Sequence, residues 1–395
     1  VVDGQQRLTT TIILIQAITE VVPDDTPINF TSVSDIRKKF LFDSKDGGVS
    51  RSYIFGYEKD NPSYEFLKVR ILNESSDSSY PIQETIYTHN LDYAKRFFLD
   101  KIQELSIDEI ENLYQKLTQR FLFNIYAISN DVDVFVAFET MNNRGKPLSH
   151  LELLKNRLIY ISTKFDVEPY ERASLRKTIN ESWKTIYHHL GRNKLNPLDD
   201  DLFLENHFLL YFGDVLDDGN DSPFKMRRLR RGYRHYHKDY LLEEKFTTKN
   251  IGANVPQEKA LSITDIKRYS KSLKDSVEIW YQILNPDESN FSPDVIDWLK
   301  KLNRVGISTA LPLIMVFFQN EGSKHKRVEL LSLIEALIFF MTVVRYHYYI
   351  EVDNLIFLEY ASRLSRKDID ADSLVSELRD HVDRIRKDKR VISNV

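Results

Sequence analysis

The chain has 395 residues, 42% of them hydrophobic and 29% charged, with a formal net charge of -4. That is the profile of an ordinary globular protein with room for a sizeable core, and no global basic field is available to nucleic acid, so any such contact must come from a local patch. There is no cysteine, which excludes disulfides, zinc–thiolate sites and cysteine nucleophiles.

The first ten residues read "VVDGQQRLTT" and run straight into "TIILIQAI". The chain begins without Met and inside an apolar run, which reads as a piece with something missing upstream. "VVD" reads as the end of a buried strand. Residues 5–20 read as a helix that is apolar nearly all round, and so buried. Gly4 can take backbone angles that other residues avoid and lets a ligand come close. The amides of Gln5, Gln6 and Arg7 would then lack partners inside the helix and, with the helix dipole, suit an anion such as phosphate. A plainer reading makes Asp3 an N-cap, with Gln6 closing a capping box. It leaves Arg7 unexplained, because a cation in the first turn opposes the dipole by about 0.3–1 kcal/mol. No GxxxxGK[ST] and no GxGxxG is present, so nucleotide chemistry here needs a different cradle.

Further on, "RSYIFGY" (51–57) and "RFLFNIYAI" (120–128) have the β-branched and aromatic content of strands. Between them "NLDYAKRFFLDKIQEL" and "IDEIENLYQKL" read as helices, while "DSKDGG" and "NESSDSS" read as exposed loops. A second constellation is "FETMNNRGKPLSHLELLKNRL" (138–158). "NNRGKP" is a turn by composition, Ser149 and Glu152 form a capping box, and Leu151, Leu154, Leu158 and Ile161 make an apolar stripe. Asn142, Arg144 and the following helix start offer an amide, a guanidinium and a dipole to one anion. Lys155 lies beside the stripe, where a snorkelling stem and a ligand-facing ammonium are both open readings.

From about residue 164 onward the pattern is helix after helix, with candidates near 168–190, 200–216, 224–242, 262–284, 292–302, 308–319, 326–349 and 371–388. The chain therefore divides at about 163, with residues 1–163 of mixed helix and strand and residues 164–395 an irregular helical bundle. "VELLSLIEALIFFMTVV" (328–344) is interrupted by Glu329 and Glu335 and reads as a core helix rather than a membrane span. The one dense basic run, "KMRRLRRGYRHYHKD" (225–239), interleaves Arg227, Arg228, Arg230, Arg231 and Arg234 with tyrosines. It suits phosphate contact and base stacking, or else is a solvated helix face paired with the acidic "LDDGND" before it. Adjacent His188 and His189 point to different sides of a helix and make a poor chelate.

"DGQQRLTT", followed by "YTHNLDYAKRFF" and by "FETMNNRGKPLSHLELLKN", resembles the DGQQR-motif family, domain-of-unknown-function family 262. This domain occurs in the GmrS half of GmrSD type IV restriction endonucleases and in related phage-defence proteins. The resemblance covers roughly residues 1–210. It implies an α+β chain: a ParB/sulfiredoxin-like N-terminal region, incomplete at its start, followed by a mostly helical bundle. In that fold a strand leads to a Gly-x-x-R turn that holds phosphate at a helix start, and Gly4 and Arg7 occupy those positions. The motif residues carry over onto Asp3, Gly4, Gln5, Gln6 and Arg7, and onto Asn142, Arg144 and Gly145. Two parts of the family pattern do not appear. The upstream Gln-Arg-x-Tyr-x-Trp segment is missing, and so is any HNH-type nuclease motif.

The resemblance implies a cytoplasmic nucleoside-triphosphate-binding and hydrolysing component of a system that restricts modified DNA. GTP, ATP, CTP and UTP all remain open, and Mg2+ is expected with the nucleotide. Its partners would be DNA, a separate HNH-type nuclease domain or subunit, and a second copy of the chain in a homo-oligomer, with no membrane. Arg7 would neutralise phosphate charge, Gln6 or Gln5 would orient water, and Asp3 would hold the metal or fix Arg7. Arg144 and Asn142 would reach in from across the pocket, with Lys155 as a further ligand contact. The alternative is a non-hydrolytic nucleotide- or DNA-phosphate-binding switch that recruits the nuclease.

Overall fold

The computed structural model describes residues 4–45, 50–54, 56–57, 61, 63–75, 82, 84–123, 148–212, 236–252, 254–340 and 355–387. The chain divides into two compact units, Val1–Leu148 with Gly191–Pro197 and Ser149–Leu190 with Leu198–Val395.

The first unit is built on α1 (Gln5–Val21), which packs most extensively on α4 (Ile86–Gln103). Short helix α2 (Val33–Phe40) lies against α1, and α3 (Tyr64–Phe66) runs into a π-helical turn, Leu67–Ile71, that packs on α4. Helix α5 (Ile107–Gln115) ends in a second π-helical turn, Lys116–Arg120. Ile13, Ile18, Ile36, Ile71 and Ile102 are buried at the centre. Three of the helix starts have a side-chain cap. Ser32, Thr85 and Ser106 accept a hydrogen bond from the amide three residues on, and Thr85 and Ser106 complete capping boxes. Polar ties fix the ends: Arg37 donates to the Thr19 carbonyl at 2.6 Å and to Asp24 at 3.1 Å, and Glu111 accepts from the Asn29 amide at 3.0 Å.

An α+β, ParB/sulfiredoxin-like N-terminal region is not what this unit shows. Among the described residues it is helical, and its only ladder is the two-stranded antiparallel pair β1 (Phe42–Lys45) and β2 (Ser50–Tyr53). The "RSYIFGY" run supplies β2, but its ladder partner is the start of "DSKDGG", a segment that reads as loop by composition. The expected strand at 120–128 begins instead with the last residue of a π-helical turn, and Phe121–Phe123 are neither helix nor strand. The rest of that run, like "VVD", lies outside the described residues. Helix α1 is the buried helix that its apolar run implies, its β-branched isoleucines notwithstanding.

The second unit is a helical bundle. Its helices are α6 (His150–Ser162), α7 (Pro169–Arg192, of which the last two residues belong to the first unit), α8 (Asp200–Tyr211), α9 (Tyr236–Asp239, continuing as a π-helical segment Tyr240–Lys245), α10 (Ile263–Leu284), α11 (Pro293–Val305), α12 (Leu311–Asn320), α13 (Lys324–Phe339), α14 (Leu355–Ser365) and α15 (Ala371–Lys387). Helix α12 is the hub: Leu311 to Phe318 are all buried, and it packs on α8, α10 and α14. A helix buried on every side can be apolar on every side. No helix among the described residues is long and apolar enough to cross a membrane.

Candidate functional site

Helix α1 starts at Gly4, whose backbone lies in the left-handed region at φ 92° and ψ 0°. That conformation is open to glycine and strained for other L-residues. Gly4 is the N-cap, and having no side chain it makes no side-chain cap bond of its own. The plain-cap reading, with Asp3 as cap and Gln6 closing a box, turns on Asp3, which lies outside the described residues. The Leu8 amide donates to the Gly4 carbonyl at 2.9 Å and closes the first turn. Gln5, Gln6 and Arg7 are exposed, and the first turn holds no acidic residue. The Arg7 guanidinium folds back over the cap, with Nη2 placed 3.7 Å from where a Cβ on Gly4 would stand.

Burial begins one turn later. Thr9 is buried, and Ile12, Ile13, Ile15, Ala17 and Ile18 follow. The Tyr57 hydroxyl bonds to the Thr9 side chain, and burial pushes the phenol above its usual range while that bond pulls it back. Thr10 and Thr11 donate to the carbonyls of Gln6 and Arg7 at 2.8 and 2.9 Å. The helix thus has a fixed, buried body and a solvent-facing amino end that carries one cation. Water at that end screens the dipole, so Arg7 costs less there than in a buried turn.

Lys155 belongs to the second unit, on α6. It is half-buried, with Nζ 5.8 Å from the Tyr187 ring centroid. The Ser149–Glu152 capping box that starts α6 is formed, and Leu151, Leu154, Leu158 and Ile161 are buried as one stripe. Asn142, Arg144, Gly145 and the arginines Arg227, Arg228, Arg230, Arg231 and Arg234 lie outside the described residues. The structure therefore places Gly4, Gln5, Gln6 and Arg7 together and puts Lys155 in a different unit.

A cluster that spacing does not reveal sits at the start of α6. His150 Nδ1 lies 3.0 Å from His237 Nε2 and 3.6 Å from Asp201 Oδ2, while the His150 amide donates to Asp201 Oδ1 at 2.6 Å. Burial, then the neighbouring Asp200, pushes the Asp201 carboxyl up to about 6, against the pull of the His150 and Leu151 amides. These residues come from three separated stretches, and the only local signal is a histidine directly after a capping serine. His188 and His189 meet edge to face at 5.4 Å, and no group of three or more His, Asp or Glu among the described residues is placed to hold a metal.

Residues 1–159 match the family model described as GmrSD restriction endonuclease, N-terminal domain. Among curated proteins none matches the chain. The match points to a restriction, phage-defence system.

Proposed function

We propose that the amino end of α1 is a nucleotide phosphate cradle and that the chain is the nucleotide-binding, NTP-hydrolysing component of its restriction system. One observation carries this reading: α1 starts at a left-handed Gly4 whose own side chain cannot cap it, and the Arg7 guanidinium lies back over that start, at an end that holds no acidic residue. Amides and guanidinium together answer the charge of a phosphate, which a plain helix cap does not require.

In this reading Arg7 neutralises phosphate charge, and Gln6 or Gln5 orients the attacking water. Asn142, Arg144 and Gly145 complete the pocket. The described part of the cradle fits an anion and offers no carboxylate of its own, since the first turn of α1 holds none. Mg2+ would be held by the nucleotide's own phosphates with Asp3 as its protein ligand, in the manner of a cation that keeps much of its water, and would neutralise phosphate charge. The DNA would be modified DNA, and cutting would fall to an HNH-type nuclease domain or subunit. A homo-oligomer and a cytoplasmic location complete the proposal.

The test is equilibrium binding and turnover of ATP, GTP, CTP and UTP with Mg2+. Binding with turnover supports the enzyme. Binding without turnover converts the same cradle into a switch that recruits the nuclease. Absence of both removes the phosphate-site reading.

A further inference from the structure

The second unit carries a groove of about 520 Å³ lined by α7 and α10, outside the residues that match the restriction family. Its lining holds five cations, Lys177, Lys267, Arg268, Lys271 and Lys274, against two carboxylates, Glu181 and Asp275. This excess of three positive charges stands on a chain whose net charge is -4. Lys267, Lys271 and Lys274 fall at i, i+4 and i+7 of α10 and so form one row along the helix.

The row differs from the ion-paired lysines of the protein. Lys95, Lys101, Lys194, Lys300 and Lys326 each hold a carboxylate oxygen within 3.1 Å. Among the described residues Lys177, Lys271 and Lys274 have no carboxylate within 4.0 Å, even though Glu181 and Asp275 line the same groove. Lys267 donates only to the Ser174 hydroxyl, at 3.1 Å. Like charges one helical turn apart repel, by a few tenths of a kcal/mol per pair. A row of them is relieved by a polyanion whose charges repeat at a similar interval.

We propose that this groove binds the phosphate backbone of duplex DNA; the proposal rests on the reading that the chain acts on DNA. The lining supports a backbone over unpaired bases. It contains Ser174, Thr178, Ser182 and Thr264, hydroxyls suited to phosphate oxygens, and no aromatic ring on which a base could stack. The row extends about 10 Å along the helix, longer than one phosphate needs. Contacts of this kind set position and affinity and carry no sequence information.

The experiment titrates a fluorescent duplex with the full chain across a salt series. It compares wild type, the triple variant K267Q/K271Q/K274Q, the same three positions changed to Arg, and the control K300Q. The glutamine triple should bind on the order of 10- to 100-fold more weakly at low salt, with a log–log salt slope shallower by about 2–3, equally for different sequences. The arginine triple should keep the wild-type slope, and K300Q should match wild type. An unchanged slope in the glutamine triple, with wild type binding DNA, overturns the groove and leaves the DNA reading standing. Wild type that binds no duplex at any salt removes both. A drop in nucleotide affinity with unchanged DNA affinity in the glutamine triple would make the groove a polyphosphate site and also overturns the proposal.

Discussion

Lys95 Nζ stands 2.8 Å from Glu20 Oε1, with the lysine side chain 9% and the glutamate 20% exposed. The ammonium also donates to the carbonyls of Arg70 and Ile71 and to Asn73 Oδ1, at 3.1, 2.8 and 2.9 Å. Gln16 and Asn73 donate to the same Glu20 oxygen at 2.7 and 2.8 Å. This network joins the carboxyl end of α1 to α4 and to the chain leaving the first π-helical turn, and it sets the helix whose other end carries Arg7. Lys95→Ala leaves a half-buried carboxylate and two buried carbonyls without their donor, and should cost about 3–5 kcal/mol. Glu20→Gln keeps an acceptor and should cost about 1–2 kcal/mol. Chemical denaturation of both variants checks the order; equal losses would show that the ammonium is not the centre of the network.

Gly191 is a second fixed point of the first unit. A Cβ there would meet the Ile86 backbone nitrogen at 2.5 Å and its Cα at 2.8 Å. Backbone at the capped start of α4 has little room to retreat, so Gly191→Ala should destabilise by about 3 kcal/mol, as overpacking against rigid atoms does. Gly322, where a Cβ meets nothing within 4 Å, is the control and should tolerate alanine. Paired thermal melts decide this.

Two groups of the second unit give opposite pH dependences. His207 is buried, with Nε2 3.0 Å from Ser272 Oγ, and burial pushes its pKa from 6.5 down to about 3. Between those values the unfolded chain binds the proton that the folded one refuses. Stability therefore falls as pH drops below 6.5, by up to about 1.4 kcal/mol per pH unit. Asp201 runs the other way. Its carboxyl titrates near 6 when folded and 3.8 when not, so its favourable contribution is complete below 3.8 and is lost as pH rises through about 6. His207→Leu should flatten the acid side of a stability–pH curve. Asp201→Asn should gain on wild type as pH rises from 3.8 to about 6, level off above that, and lose the advantage below 3.8. Melts across this range that move in parallel for both variants would refute these two roles.

The arginine run at Arg227, Arg228, Arg230, Arg231 and Arg234 gives an independent prediction. Neutralising the first four should weaken DNA binding and make the salt slope shallower by about 0.9 for each phosphate that is no longer neutralised. If run and groove bind separate phosphates, their slope changes add. An unaltered slope would exclude the run.

Much of the helical architecture was legible because its signals are local. Ser149 with Glu152 announced α6, and the apolar runs near 262–284, 292–302 and 371–388 correspond to α10, α11 and α15 within a few residues. Helix α14 was missed. The strand content expected of the first unit failed for a different reason. The run from Arg120 has the composition of strand, yet Arg120 closes a π-helical turn and Phe121–Phe123 are neither helix nor strand, because composition alone does not decide backbone pairing. At the site, the glycine-to-arginine spacing was readable, whereas the choice of Gly4 rather than Asp3 as cap depends on a positive φ that sequence does not encode directly. The His150–His237 contact joins residues 87 positions apart, beyond any periodic signal. The lysine row on α10 is visible as a spacing, but its lack of carboxylate partners is a property of the folded surface.

The most direct test of the phosphate cradle is nucleoside-triphosphate affinity of the full chain with Arg7→Ala and Arg7→Lys beside wild type. The account predicts saturable binding by wild type, a loss of about 10- to 100-fold in Arg7→Ala, and partial recovery in Arg7→Lys, as removal of a charge-assisted hydrogen-bond donor requires. Equal affinity and equal turnover in wild type and Arg7→Ala would contradict it.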